Sequence, residues 1–274
     1  MRLVTIAVAL AMIGCADATT GDAGAPPVER YGGNGTVLQS PAAAAELCLG
    51  AVAESLPPQC SGIPITNWDW DSVANEELAS GVTWGSYHVV GTYDGRSFTV
   101  LEVDDPAATP DDSGVRFAAP CPEPEGGWVA TDPTRVSDDD RQAAVRAAES
   151  EPDHAATWID DLDPLRDSES GRYVLVLAFT GDLDAHREDI DRLWGGPLCV
   201  WEFGRTFREL RSIQSQLGEI AHELGIEMLW SSIDVSRNQV ELGVVITAPE
   251  LEATLASRFG AGAVRIEPAL VAVG

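Results

Sequence analysis

Tyr173-Val174-Leu175-Val176-Leu177-Ala178-Phe179 is an unbroken apolar run in a chain otherwise dense with Asp and Glu. A run of this length with no polar face reads as a strand buried on both sides, at the centre of a covered sheet. Working outward from it, Leu183 to Trp194 reads as a helix led by Asp182 or Asp184 and stopped by Gly195-Gly196. Leu198 to Phe203 reads as a second strand. Thr206 to Leu224 is the strongest helix: Thr206 and Glu209 form a capping box and Gly225 is the stop. Its Phe207, Leu210, Ile213, Leu217, Ile220 and Leu224 draw one apolar stripe. A hairpin follows over 227–235 and 239–246, turned at Ser236-Arg237-Asn238. Thr247 and Glu250 are expected to cap a last helix carrying Leu251, Leu255 and Phe259, and a closing strand runs from Ala263 to Glu267. The order β-α-β-α-β-β-α-β predicts an α+β sandwich over residues 153–274, with helices on one face of a mixed sheet. No internal repeat is apparent.

Upstream, Ser137 to Glu149 is expected to be a linker helix within residues 133–152, with Ser137 as cap and Asp140 three residues on. Asp160 to Asp163 reads as an acidic loop. Residues 38–132 read as a small β-rich domain with an N-terminal helix. Pro41 opens that helix over Ala42 to Val52 and Pro57-Pro58 ends it. Val82, Trp84, Tyr87 and Val89, then Phe98, Val100 and Val103, flank Tyr93-Asp94-Gly95-Arg96, a hairpin signal. Val115 to Phe117 and Trp128 to Ala130 can add strands, which is compatible with a partial barrel of unspecified strand number. Residues 16–37 are Ala, Gly, Thr, Asp and Pro with almost no large apolar side chains, so they read as a tether, Gly32-Gly33-Asn34-Gly35 included. Its reach is roughly 25 Å.

Residues 1–15 read as a lipoprotein signal. Met1-Arg2 is a charged start and Leu3 to Ile13 an apolar run too short to span a bilayer. Met12-Ile13-Gly14-Cys15 looks like a bacterial lipobox with Met in place of the usual Leu, which makes Cys15 the lipidation site. The alternative is a plain signal peptide cut near Ala18. With the lipobox, the chain is extracytoplasmic and anchored by lipid to the outer face of the membrane.

Basic side chains number 17 against 44 acidic ones, for a net charge of -27. Such a surface repels nucleic acid and anionic headgroups, so neither is an expected partner through a basic patch. All the basic residues are Arg. Without Lys there is no Walker A loop, Schiff-base site or Ser-Lys dyad, and no cofactor motif is present. Setting Cys15 aside leaves Cys48, Cys60, Cys121 and Cys199, an even set that implies disulfides with three possible connectivities. The preferred pairing is Cys48–Cys60, a local loop, with Cys121–Cys199 joining the two halves.

No metal or catalytic site stands out. Asp104-Asp105, Asp111-Asp112, Asp138 to Asp140 and Asp160-Asp161 lack calcium-loop spacing and read as solvated loops and caps. His88, His154, His186 and His222 are scattered; His222-Glu223 lacks the second His of a zincin helix, since Ile226 stands there. His186 and His222 fall on polar helix faces, which indicates a surface role. No Gly-x-Ser-x-Gly elbow exists. Among the chain's 8 tryptophans, Trp68 and Trp70 in Asn67-Trp68-Asp69-Trp70-Asp71 share one face if the segment is extended. They are either a stacking platform for a sugar or a cover over the edge of a small β core.

Pro57-Pro58-Gln59-Cys60-Ser61-Gly62, Trp68-Asp69-Trp70, Trp84-Gly85-Ser86-Tyr87, Gly91-Thr92-Tyr93-Asp94-Gly95 and Gly195-Gly196-Pro197-Leu198-Cys199-Val200 together resemble a group of actinobacterial secreted lipoproteins of unknown function. The likeness covers most of the mature chain and implies localisation and a two-part architecture, but no activity. Ile233 to Ile266 is similar to the C-terminal part of alpha-lytic-type protease prodomains, a fold analogy over about an eighth of the chain. Three functional readings follow: an envelope binding module for a glycan or protein ligand, a carboxylate-based extracellular hydrolase, and a prodomain-like protease inhibitor or chaperone.

Overall fold

A computed structural model describes residues 29–106, 117–162 and 173–274. The signal and lipobox with Cys15, tether residues 16–28, Asp111-Asp112, the start of the strand expected at Val115, and Asp163 lie outside the described residues. The chain is α+β. Among the described residues, the N-terminal part is a seven-stranded antiparallel sheet, and the C-terminal part is two helix-backed three-stranded sheets.

The N-terminal sheet is built on two long partners, β1 (Arg30–Gln39) and β5 (Val82–Tyr93), paired antiparallel from Tyr31↔Gly91 to Gln39↔Thr83. The outer edge of β1 takes β2 (Glu46–Cys48), which in turn takes β3 (Ile63–Pro64). The outer edge of β5 takes β4 (Glu77–Ala79) and β6 (Phe98–Asp104). The sheet curls on itself. Thr66 N donates to the Phe98 carbonyl at 3.1 Å, and Asn67 exchanges hydrogen bonds with both backbone groups of Val100. That seam joins the β3 side to β6 and makes a small barrel filled by Val37, Leu47, Ile63, Ile65, Val89 and Phe98.

Two expectations fail here. Residues 30–37, read as tether, are strand β1. Its glycines mark close backbone approach: a Cβ on Gly33 would stand 2.2 Å from the Ala269 carbonyl oxygen. The composition that suggests a flexible tether is here the composition of a strand crossed by another backbone. The helix expected over Ala42 to Val52 is absent. Its centre is β2, where Leu47 and Cys48 are buried in a sheet, so tertiary pairing overrides the helix preference of the alanine run.

The C-terminal part contains a structural repeat that the sequence conceals. The first unit is α1 (Asp138–Ser150), β7 (His154–Asp161), β8 (Tyr173–Phe179), α2 (Leu183–Asp191) and β9 (Leu198–Glu202). The second is α3 (Phe207–Glu223), β10 (Met228–Asp234), β11 (Gln239–Val244), α4 (Pro249–Phe259) and β12 (Val264–Pro268). In each, the first two strands are antiparallel, the third is parallel to the second, and the second is central. The expected single mixed sheet is therefore two sheets, each with its helices on one face.

The apolar run is β8, with all of its residues buried. Helices α1 and α2 cover one side of it. The capping boxes at Ser137/Asp140 and Thr206/Glu209 are both formed. The Thr247 cap is not: Ala248 is the N-cap and Pro249, with its fixed φ, opens α4 one residue later. Strand β7 replaces the expected acidic loop at its Asp160-Asp161 end. Asp160 is 1% exposed and accepts a hydrogen bond from Ala119 N at 2.8 Å, while Ile159 faces out. This inverted polarity hides the strand from a pattern reading.

The two parts are not separable at residue 153. A last strand, β13 (Val271–Val273), pairs with the start of β1 through Arg30↔Val273 and Gly32↔Val271. Val245 and Leu270 fill the barrel core. Between the repeats, Asn238 is 4% exposed at φ +54° and clamps Arg205, accepting from its N–H at 2.9 Å and donating to its carbonyl at 2.8 Å. Among the described residues no helix is long and apolar enough to cross a membrane.

Candidate binding face

Each three-stranded sheet has one face under its helices and one face turned away, and the repeat makes the second faces comparable. In the first unit that face, with Trp158, Val174, Val176 and Ala178, is covered by Ala119, Cys121 and Trp128. The cover is pinned by the Cys121–Cys199 disulfide, with a Cα separation of 5.7 Å, and by the Trp158 indole donating to the Phe117 carbonyl at 3.0 Å. In the second unit the helices bury Val240, Leu242 and Val244 against Leu210, Ile213, Leu217, Leu251 and Leu255. Strand alternation then sends Glu241 and Gly243 the other way. That face carries a groove of about 660 Å³, with Phe117 at its rim.

The register assembles the groove. Trp230 on β10 stands opposite Gly243 on β11, and Ser232 opposite Glu241. Glu241 stands beside Arg265 on β12, and Gly243 beside Glu267. Because Gly243 has no side chain, the Trp230 indole lies across it: a Cβ there would meet Nε1 at 2.2 Å and Cε2 at 2.4 Å. Polar groups flank the ring. Ser232 Oγ donates to Glu241 at 3.2 Å, and Arg265 bridges Glu241 at 3.5 Å and Glu267 at 2.6 Å. At the turn, Arg237 donates to Asp234 at 2.9 Å. Burial alone would push the Asp234 carboxyl up, but hydrogen bonds from Ser236 and Arg237, with the Arg237 charge, outweigh it and hold the group below the ordinary carboxylate range.

A half-exposed ion pair adds little stability, so the Glu241–Arg265–Glu267 row is weakly explained as a fold device. A sheet face turned to water alternates to mainly polar side chains, whereas this one holds an indole over Gly243 between planar donors and acceptors. That combination suits a ligand with one apolar face and a rim of hydroxyls.

The expected site residues lie elsewhere. Trp68 and Trp70 are together, but at 77° to each other with centroids 5.4 Å apart, and Trp68 also leans on Tyr87 at 5.1 Å. The segment is not extended, since Asp69 caps a 3₁₀ turn beginning at Trp70. The Trp70 N–H donates to Gln39 at 2.6 Å, and the Trp68 N–H is buried where no ligand reaches it. Both rings pack on the barrel core, so they are its edge cover and not a flat platform. Cys48–Cys60 and Cys121–Cys199 form the two disulfides, the first with a Cα separation of 6.0 Å and with Cys48 on a strand rather than a helix.

His186 departs from its expected surface role. Its side chain is 13% exposed, stacks on Phe179 at 3.8 Å and pairs with Asp153 at 2.9 Å. The groove residues Trp230, Glu241, Arg265 and Glu267 were missed from sequence. Their signal is the alternation Val240-Glu241-Leu242-Gly243-Val244, which tells the faces apart but not that one stays uncovered. The chain matches no protein-family model and no curated protein.

Proposed function

We propose that this chain is a lipid-tethered, extracytoplasmic binding module that holds a saccharide on the open face of its second αββαβ unit. The placement outside the cytoplasm rests on the apolar N-terminal run with its lipobox at Cys15, and the two disulfides support it. The observation that carries the ligand is the Trp230 ring lying on Gly243 between Ser232, Glu241, Arg265 and Glu267. The indole offers an apolar plane to the C–H face of a sugar ring, and the flanking groups offer hydrogen bonds to its hydroxyls.

The test is titration of the soluble mature chain with a panel of neutral oligosaccharides. Binding without turnover, lost in Trp230→Ala and kept in Trp68→Ala, is the expected result. Absence of binding across the panel would remove the saccharide reading. Glycosidic cleavage would move the function to carboxylate hydrolysis, and loss of turnover in Glu241→Gln or Glu267→Gln would place it on this face. For the anchor, Cys15→Ala is expected to abolish fatty-acid labelling and release the protein; labelling that persists would refute it.

A further inference from the structure

We infer that Glu151, Asp153 and His186 form a site for one divalent transition-metal ion of Zn²⁺ type. The three come from separate places. Glu151 is the C-cap of α1, Asp153 lies in the turn into β7, and His186 is in the first half of α2. One donor atom from each lies within 4.8 Å of the other two.

Three features favour a cation over a plain His–Asp pair. Two carboxylates converge on one imidazole, and among the described residues no Arg pairs with either of them. Glu151 sits at the C-terminal end of α1, where the helix dipole disfavours a bare carboxylate and favours a cation beside it. The His186 ring is already positioned, stacked on Phe179 at 9° between planes, and the Asp153 carbonyl is fixed by Thr180 N–H at 3.0 Å.

The donor set of one imidazole and two carboxylates suits Zn²⁺, whereas Ca²⁺ and Mg²⁺ take oxygen only. Tetrahedral Zn²⁺ places its donors about 3.3 Å apart. The 2.9 Å His186–Asp153 contact therefore opens slightly and the exposed Glu151 side chain closes in. Water completes the shell; the Nε2–H that donates to Asp153 is given up on binding, to solvent from the charged ring or in exchange for a proton on Nδ1 from the neutral one, so the ligand is neutral imidazole either way. The site is in the first unit and stands or falls independently of the saccharide face.

The test is Zn²⁺ titration of the soluble mature chain against a chromophoric chelator, with Mg²⁺ in excess to saturate unspecific carboxylates. One tight equivalent is expected, weakened at least tenfold in His186→Gln and in Asp153→Asn and unchanged in His154→Gln. Histidine ¹⁵N spectra of the unaltered chain give a readout that no variant's folding can confuse: Zn²⁺ should move the His186 Nε2 resonance and leave His88 and His222 in place. No tight equivalent, or one that leaves His186 unmoved, overturns the site.

Discussion

Gly243→Ala separates the function of the open face from the stability of the fold. The new Cβ would stand 2.2 Å from Trp230 Nε1, 2.4 Å from Cε2 and 2.6 Å from Cδ1. Carbon contacts settle near 3.5 Å, so the indole must rise or swing by about 1.3 Å. These atoms belong to a side chain that faces a groove, so the backbone can stay where it is. Gly243 has no left-handed φ, and replacing it narrows the unfolded ensemble, a gain of about 0.4–1 kcal/mol. Displacing the ring costs about 1–3 kcal/mol if nothing yields, with the lower end fitting a movable side chain. The net change in stability should be within about 1 kcal/mol. The ligand platform, however, is displaced by a good part of an atomic diameter. A buried Trp anchor carries about 2 kcal/mol or more of a binding energy, a factor of about thirty, and a misplaced one should lose at least about tenfold. Denaturant unfolding and oligosaccharide titration of the same preparation measure the two effects. Full affinity in Gly243→Ala, with the indole emission showing that the ring has moved, would refute the assignment of the platform.

Other expectations follow from the same contacts. Replacing both Cys121 and Cys199 by Ser opens a 78-residue loop and should cost about 4.5 kcal/mol, against about 2.8 kcal/mol for the 12-residue Cys48–Cys60 loop, measured by denaturant unfolding; equal losses would contradict the staple role. Asn238→Ala removes two hydrogen bonds to Arg205 and puts a Cβ-only residue at φ +54°, so about 2–3 kcal/mol should be lost. Gly33→Ala drives a Cβ against the Ala269 carbonyl oxygen, a backbone atom that cannot swing aside, and should cost more than Gly243→Ala. Burial holds His154 below its ordinary pKa of 6.5, against the opposing pull of Glu149 and Asp153. The unfolded chain therefore binds its proton first. This residue's contribution is fully present above pH 6.5 and is lost as pH falls through the lowered folded value, so His154→Gln should flatten the stability curve in that acid range.

The sequence by itself determined the local elements of residues 173–268. Apolar continuity makes β8, the stripe on α3 is written at helical spacing, and the two capping boxes are three-residue patterns. These features depend on neighbours a few positions apart, and nothing distant has to be known to read them. The α+β class follows from them, as does the presence of disulfides from an even cysteine set. Tertiary structure decided the rest. Gly32-Gly33-Asn34-Gly35 is a strand because β5 pairs along all of it and β13 joins at Gly32, and Asp160 is buried where the distant Ala119 N–H meets it. The repeat is visible in strand order and not in side chains, since packing constrains size and polarity loosely. The binding face depends on what is missing: both units have a second sheet face, and residues near 117–128 cover one of them. Which face stays open is set by contacts distant in the chain, from the 41-residue separation of Phe117 and Trp158 to the 78 of the Cys121–Cys199 bridge, and no local pattern encodes it.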